Sequence, residues 1–264
     1  MTSISLSRVS VQFPLLSGAA RSLKTSVLAA TTGGRIAHTA GAQPVISALA
    51  DIDLELRTGD RVAVCGHNGS GKSTLLRVLA GIYEPTGGRI QVRGRVGAIF
   101  DPALGVDPDS SGMENIVLRL RLMGLSRREI DARIDEIAAF TGLGAFLHMP
   151  LRTYSAGMGA RLVFAISTSV MPDILVLDEG IGAGDASFFE QANRRLRQLV
   201  DRAGILVLAS HSFDLLRQFC TTAILLEHGS LIAAGPLESV LRVYHERTHG
   251  AGRDAAAALV RRVA

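Results

Sequence analysis

Tryptophan is absent from the 264 residues, and aromatic residues as a whole make up 5%. A surface that stacks successive bases of a single strand needs exposed rings, so that mode of nucleic-acid binding is disfavoured. Cysteine is nearly absent too. Cys65 and Cys220 are the whole supply, which excludes a disulfide framework and a CxxC metal site and fits a reducing compartment. No run of about 18 uncharged apolar residues occurs, so no membrane span is expected. Acidic residues are missing from positions 1–50, where Arg8, Arg21, Lys24 and Arg35 stand; all 24 acids follow. The net charge of +4 therefore sits at the N-terminal end. Such an end suits anionic lipid or nucleic acid, or is simply a solvated segment.

That same acid-free, Ser/Thr-rich start has the composition of an organelle transit peptide. Within it, however, SRVSVQF alternates, with Val9, Val11 and Phe13 on one face, which predicts a folded first strand. No secretory signal is expected. A hydrophobic content of 47% leaves enough apolar side chains for a sizeable core. The length suits one large α/β domain or a core with a subdomain.

Along the chain, 14–46 is a long segment in which AARSLKTSVLAA has the pattern of a short helix and TTGGR breaks it. SALADIDLEL alternates again. RVAVC (61–65) is a short buried strand that runs into GHNGSGKSTLLRVLAGI. RIQVRGRVGAIF reads as strand, and 101–112 as loop. From Met113 to about Phe146 apolar residues recur at helical spacing. Another helix is expected between Tyr154 and Pro172. ILVLDE and ILVLASH are strands, FFEQANRRLRQLVDRAG is an amphipathic helix, and AILLEHGSLIAAG is a hairpin followed by a helix. Strands alternating with helices imply a parallel or mixed sheet covered by helices. The helical block near 113–165 interrupts that alternation as an inserted subdomain.

The strongest chemical signal is GHNGSGKS, Gly66, His67, Asn68, Gly69, Ser70, Gly71, Lys72 and Ser73, followed by Thr74. It fits GxxxxGK[ST] between a strand and a helix. Glycines let backbone N–H groups face phosphate oxygens, and the helix N-terminus adds its dipole. Lys72 is expected on the β/γ-phosphates and Ser73 on Mg²⁺. Asp178 and Glu179 end a second apolar strand. Alone they would pass for a solvated turn. Downstream of a phosphate loop, Asp178 suits Mg²⁺ and Glu179 suits the attacking water. His211 ends a third apolar strand, where it would contact the γ-phosphate. Ser155 and Gly157 open a helix in YSAGM, a further anion site by dipole.

Taken together these motifs resemble the ABC ATPases: phosphate loop at 66–73, a signature loop at 154–158 where the family has LSGGQ, the acidic strand at 174–179, and the switch histidine His211. The resemblance covers about residues 4–245. GIGAGDA after the two acids, YSAGM, SHS and LEHG are similar to the branch that exports bacterial polysaccharides. It implies an α/β P-loop NTPase core with a mixed sheet, an antiparallel β subdomain and an inserted helical subdomain. The nucleotide-binding domain would span 1–247, with the helical subdomain at about 105–165, the insertion at 14–46 and a tail at 248–264. It implies Asp185 as the residue that communicates across a dimer, and the 14–46 insertion as a permease-facing element or, failing that, a surface loop.

Two positions depart from the family pattern. Asp101 stands where a glutamine, or in this branch a glutamate, contacts the metal. Phe13 is the candidate for stacking on adenine, with a buried core role as the alternative. The resemblance implies an ATPase using ATP and Mg²⁺, acting as a homodimer on a separate multi-span permease at the cytoplasmic face of the bacterial inner membrane. The implied cargo is a lipid-linked polysaccharide such as O-antigen, capsule or teichoic acid. A chain ending soon after His249 would have no glycan-binding C-terminal domain. The competing readings are an ATPase subunit for lipid or drug, and a soluble ABC ATPase on DNA or ribosomes. Nucleic acid is not expected as a partner, since coiled coils, zinc fingers and tandem ATPase units are not visible.

Overall fold

The computed structural model describes residues 1–14, 36–37, 45–99, 105–178 and 186–248. They divide into two compact units, Met1–Gly94 with Gly204–Ala264, and Arg95–Ala203.

In the first unit, β1 (Ser3–Pro14) lies between β3 (Val45–Arg57) and β5 (Gly87–Arg93), and β2 (Ile36–Ala37) flanks β3, in an antiparallel sheet of order β2-β3-β1-β5. Ile4, Leu6, Val9 and Val11 of β1 are buried. The spacing changes because register slips occur between Leu6 and Val9, between Val9 and Val11 and between Val11 and Gln12. Arg8 takes the extra length with φ 46°, its N–H donating to Asp53 Oδ1 at 2.8 Å. Phe13 is exposed where Val9 and Val11 are buried. Simple alternation puts all three together, and it fails at Phe13, one residue before the strand ends at Pro14.

The same unit holds a mostly parallel sheet. β4 (Arg61–Cys65) lies between β8 (Ile205–Ala209) and β9 (Thr222–Glu227), parallel to both, and β10 (Ser230–Pro236) folds back antiparallel on β9. All five residues of β8 are buried, and so are Val62 to Cys65 of β4. Such continuous apolar runs mark strands covered on both faces. Helices α1 (Lys72–Leu79), α7 (Phe213–Phe219) and α8 (Leu237–Thr248) complete the described part.

In the second unit, β6 (Val96–Ile99) pairs in parallel with β7 (Ile174–Leu177). RIQVRGRVGAIF is thus two strands. It breaks at Gly94, so β5 serves the antiparallel sheet and β6 opens the next unit. Between β6 and β7 lie α2 (Gly112–Leu122), α3 (Arg127–Asp131), α4 (Ile134–Thr141), two 3₁₀ turns and α5 (Ala156–Ser167); α6 (Ala186–Arg202) follows β7. Their core gathers Ile116, Leu120, Ile130, Ile137, Leu162 and Ile166. The single helical run expected from Met113 to Phe146 is three helices. Ser111 and Ser126 each make a full capping box, with Glu114 and Glu129, and so start new helices.

Candidate functional site

β4 ends at Cys65, and the chain turns through residues 66–71 into α1. Gly66 has φ 144° and Gly71 φ 110°, values that disfavour any side chain. Space forbids one as well: a Cβ on Gly66 would lie 2.3 Å from Leu226 O, and one on Gly71 2.7 Å from Ala48 O. The loop closes on itself through Ser70 N–H donating to His67 O at 3.1 Å. A hairpin turn braces it from outside. Gly229 N–H donates to Ser70 O at 2.9 Å, and Ala50 N–H donates to Gly229 O at 2.9 Å. The preceding residue, His228, has φ 50°, and its ring lies 5.1 Å from the His67 ring. His67 Nδ1 is 2.7 Å from Asn68 O, which fixes the proton on that nitrogen.

Gly71 caps α1 without a side-chain hydrogen bond, and no acid stands in the first turn. The positive end of the helix therefore opens into the loop. Lys72 Nζ donates to Gly66 O at 2.6 Å and to His67 O at 3.2 Å, which centres the ammonium in the curve of the loop. A glycine-shaped turn, an uncapped helix start and a centred cation form a donor set that suits a polyphosphate. Ser73 and Thr74 are half-buried in the first turn.

His211 follows the end of β8. Val64 of β4 pairs with Ala209 of β8, so the phosphate loop and His211 leave the same edge of the parallel sheet. Ligands in open α/β sheets bind at such carboxyl ends. His211 is exposed, and Ser212 N–H donates to Ser210 Oγ at 3.0 Å where α7 begins. Phe13 is 37% exposed, so the buried alternative fails. Its ring meets Tyr83 edge-on at 5.4 Å, and Arg77 lies over the same Tyr83 ring at 5.8 Å.

In the second unit, Asp178 is half-buried at the end of β7, its N–H donating to Ile99 O at 3.2 Å. Ser155 caps α5, its Oγ accepting from Met158 N–H at 3.2 Å. Gly157 lies in the first turn, where among the described residues Ser155 Oγ alone, outside the helix's own backbone, stands within 4 Å of an added Cβ. Behind them Tyr154 donates to Phe146 O at 2.7 Å, and burial raises its phenol above the usual value. Glu179, Asp185 and Asp101 lie outside the described residues, as do AARSLKTSVLAA and the tail from residue 249.

Residues 49–182 match the family model described as ABC transporter. The chain belongs to the ABC transporter family. This ABC chain is 43% identical over 229 residues to the O-antigen export system ATP-binding protein RfbE of Yersinia enterocolitica, covering 87% of this chain and 96% of that one. It is 40% identical to the O-antigen export system ATP-binding protein RfbB of Myxococcus xanthus, covering 76% of this chain and 46% of that one. With the teichoic acids export ATP-binding protein TagH of Lactococcus lactis the identity is 37%, over 75% and 42% of the two lengths. The chain thus spans nearly all of the Yersinia protein and less than half of the other two. Among solved structures, the cassette MJ0796 in its dimeric post-hydrolysis state with ADP and Pi aligns with TM-score 0.63 at 20% identity, covering 89% of this chain and 98% of that one. That likeness shows the fold. The ABC family, its polysaccharide-export branch, the α/β fold and the ATPase activity expected from the motifs are borne out.

Sequence reasoning missed two features of this ABC unit pair. The first is the brace from Gly229 to the phosphate loop; LEHG was visible, but its partner Ser70 is far away in sequence. The second is Asn115, wholly buried on α2. Its Oδ1 accepts from Asp107 N–H at 2.8 Å, and its Nδ2 donates to Asp107 O at 2.9 Å and Ser111 O at 2.9 Å. A polar residue on an apolar helix face was the available signal. Cys65 and Cys220 are buried packing, and burial pushes their thiols up to about 11 and about 12. Neither forms a reactive thiolate near neutral pH.

Proposed function

We propose that the protein is the ATP-hydrolysing, energy-coupling subunit of an ABC exporter that moves a lipid-linked polysaccharide across the bacterial cytoplasmic membrane. The observation that carries this reading is the 43% identity to an O-antigen export ATP-binding protein across 96% of its length. The phosphate loop supports it by supplying the ATP site. No helix among the described residues is long and apolar enough to cross a membrane, so a separate multi-span permease carries the path. The ATPase sits on its cytoplasmic face as one of two copies. In this reading residues 1–247 form the nucleotide-binding domain, residues 14–46 insert toward the permease, and 248–264 form a tail.

Gly66–Thr74 hold the triphosphate, Lys72 lies on its β/γ end, and Phe13 stacks on adenine. Ser73 and Asp178 would hold Mg²⁺, with Asp101 the third candidate; the ion would neutralise phosphate charge. Glu179 takes a proton from water as its oxygen bonds to the γ-phosphorus, and the bond to the β-phosphate oxygen breaks with its electrons leaving on ADP. His211 orients that water. Ser155 and Gly157 come from the second copy, and Asp185 links the two sites. ATP then joins the copies, and hydrolysis parts them.

The test is a gentle membrane pull-down of the tagged Glu179→Gln variant with ATP. A co-purifying polytopic protein with a lipid-linked glycan is the expected result. Recovery of a chain bound only to ribosomes or DNA, or of a dimer with no membrane protein, would refute the export reading.

A further inference from the structure

Near its start α6 meets α5 through Arg161 and Phe188. Arg161 lies one turn after Gly157, on the same face of α5. Its guanidinium lies over the Phe188 ring, 5.2 Å from the centroid. Phe188 sits in the first turn of α6, only three positions after Asp185, and is 4% exposed. On its far side Arg161 reaches the end of α4, where a Cβ on Gly142 would lie 3.9 Å from Arg161 Nη1. A cation is favoured beside a helix C-terminus and over an aromatic face at once.

The ring beneath is held on two more sides. Phe188 meets Phe164 of α5 edge-on at 5.8 Å and Phe140 of α4 at 5.6 Å. Phe140 is covered in turn by Arg195, 4.7 Å from the ring. Arg195 also donates to Glu136 Oε1 at 2.9 Å and to Thr168 O at 3.2 Å. Arg195 thus locks the base of the cluster, and Arg161 joins its top to the glycine end of α5. Among the described residues, Ser155 Oγ at 3.9 Å is what an added Gly157 Cβ would meet. The Phe188 ring and the guanidinium over it thus form a continuous contact from the first turn of α6 to the face of α5 that carries Gly157.

We infer that Arg161 and Phe188 are a positioning pair for ATP hydrolysis, setting the Ser155–Gly157 end of α5 through the start of α6. In this role both act through the turn bearing Gly157 and not on nucleotide directly. The inference rests on the proposed reading that Ser155 and Gly157 serve the γ-phosphate.

The experiment uses the full chain with the single variants Arg161→Gln and Phe188→Leu, their combination, and Arg161→Lys. Steady-state ATPase and binding of a fluorescent ATP analogue are measured for each. Each single variant is expected to lower kcat tenfold or more, while nucleotide Kd changes less than twofold. The double variant is expected to be no worse than the poorer single, and Arg161→Lys, which keeps a cation over the ring, to recover part of the loss. Singles within twofold of the parent kcat, a double whose losses multiply, or equal losses in kcat and nucleotide affinity would each overturn the pair. Gly157→Asp separates the two levels. If it abolishes turnover while Arg161→Gln does not, the positioning inference alone fails. If it leaves turnover intact, the signature reading fails and takes the pair with it.

Discussion

Gly66 shows how one residue sets the phosphate loop. Its φ of 144° and the 2.3 Å that an added Cβ would leave to Leu226 O act against any other residue. Gly66→Ala must therefore bend the loop or push back β9. We expect a loss of about 2–4 kcal/mol in unfolding free energy, from backbone strain plus overpacking. Nucleotide affinity should fall with it, because Lys72 Nζ is centred by Gly66 O at 2.6 Å. Urea unfolding and nucleotide titration check both; an unchanged midpoint would mean the loop yields freely. This residue was legible because a phosphate loop is local: strand, glycines, lysine and helix follow one another within one stretch. Phe13 was half legible. Its place at the end of β1 could be read, but its exposure and its contact with Tyr83 depend on what packs there, which alternation does not record. Asn115 and Gly229 act on residues brought near only by folding. No local pattern announces that Gly229 N–H meets Ser70 O at 2.9 Å.

At the scale of elements, strands ending in chemistry were the most readable, because buried parallel strands are short apolar runs with sharp ends. β4, β7 and β8 all fall where such runs lie. The helical block was less readable in its divisions. Hydrophobic spacing continues through Met113–Phe146, while the boundaries are set by capping chemistry at Ser111 and Ser126. The Ser111 hydroxyl holds the Glu114 carboxyl below its ordinary value, and the Ser126 hydroxyl does the same to Glu129. A depressed carboxyl contributes stability in full above its unfolded value, 4.5 here, and loses it as pH falls through the folded one. Melting temperature should therefore fall as pH is lowered below about 4.5. In the double variant Glu114→Gln with Glu129→Gln the fall should be shallower, since glutamine keeps the capping bond without titrating. Parallel melting curves from pH 6 to pH 3 for the two proteins would show that the boxes do not carry the acid response.

At the scale of the molecule, the machinery is divided. Met1–Gly94 with Gly204–Ala264 carries the phosphate loop and His211, whereas Arg95–Ala203 carries Asp178, Ser155 and Gly157. A chain that holds its nucleotide loop in one compact unit and an uncapped-by-acid, glycine-bearing helix start in the other can use two copies to enclose each ATP. A dimer with twofold symmetry then builds two equal sites from one kind of chain. The prediction follows from where charge would be placed. The Glu179→Gln variant, expected to bind ATP and turn it over slowly, should sediment as a monomer without nucleotide and as a dimer with ATP. In the proposed dimer, adding Gly157→Asp would put a carboxylate at the start of α5, against the γ-phosphate held by the other copy. Like charges at close range oppose association, so that double variant should bind nucleotide as before and remain monomeric. Adding Lys72→Ala instead should remove dimerisation by removing nucleotide itself. Sedimentation and nucleotide binding, measured together, separate the two causes. If the Gly157→Asp protein dimerises with ATP as readily as its parent, the helix start of one copy does not face the nucleotide of the other, and the enclosing role of Ser155 and Gly157 is wrong.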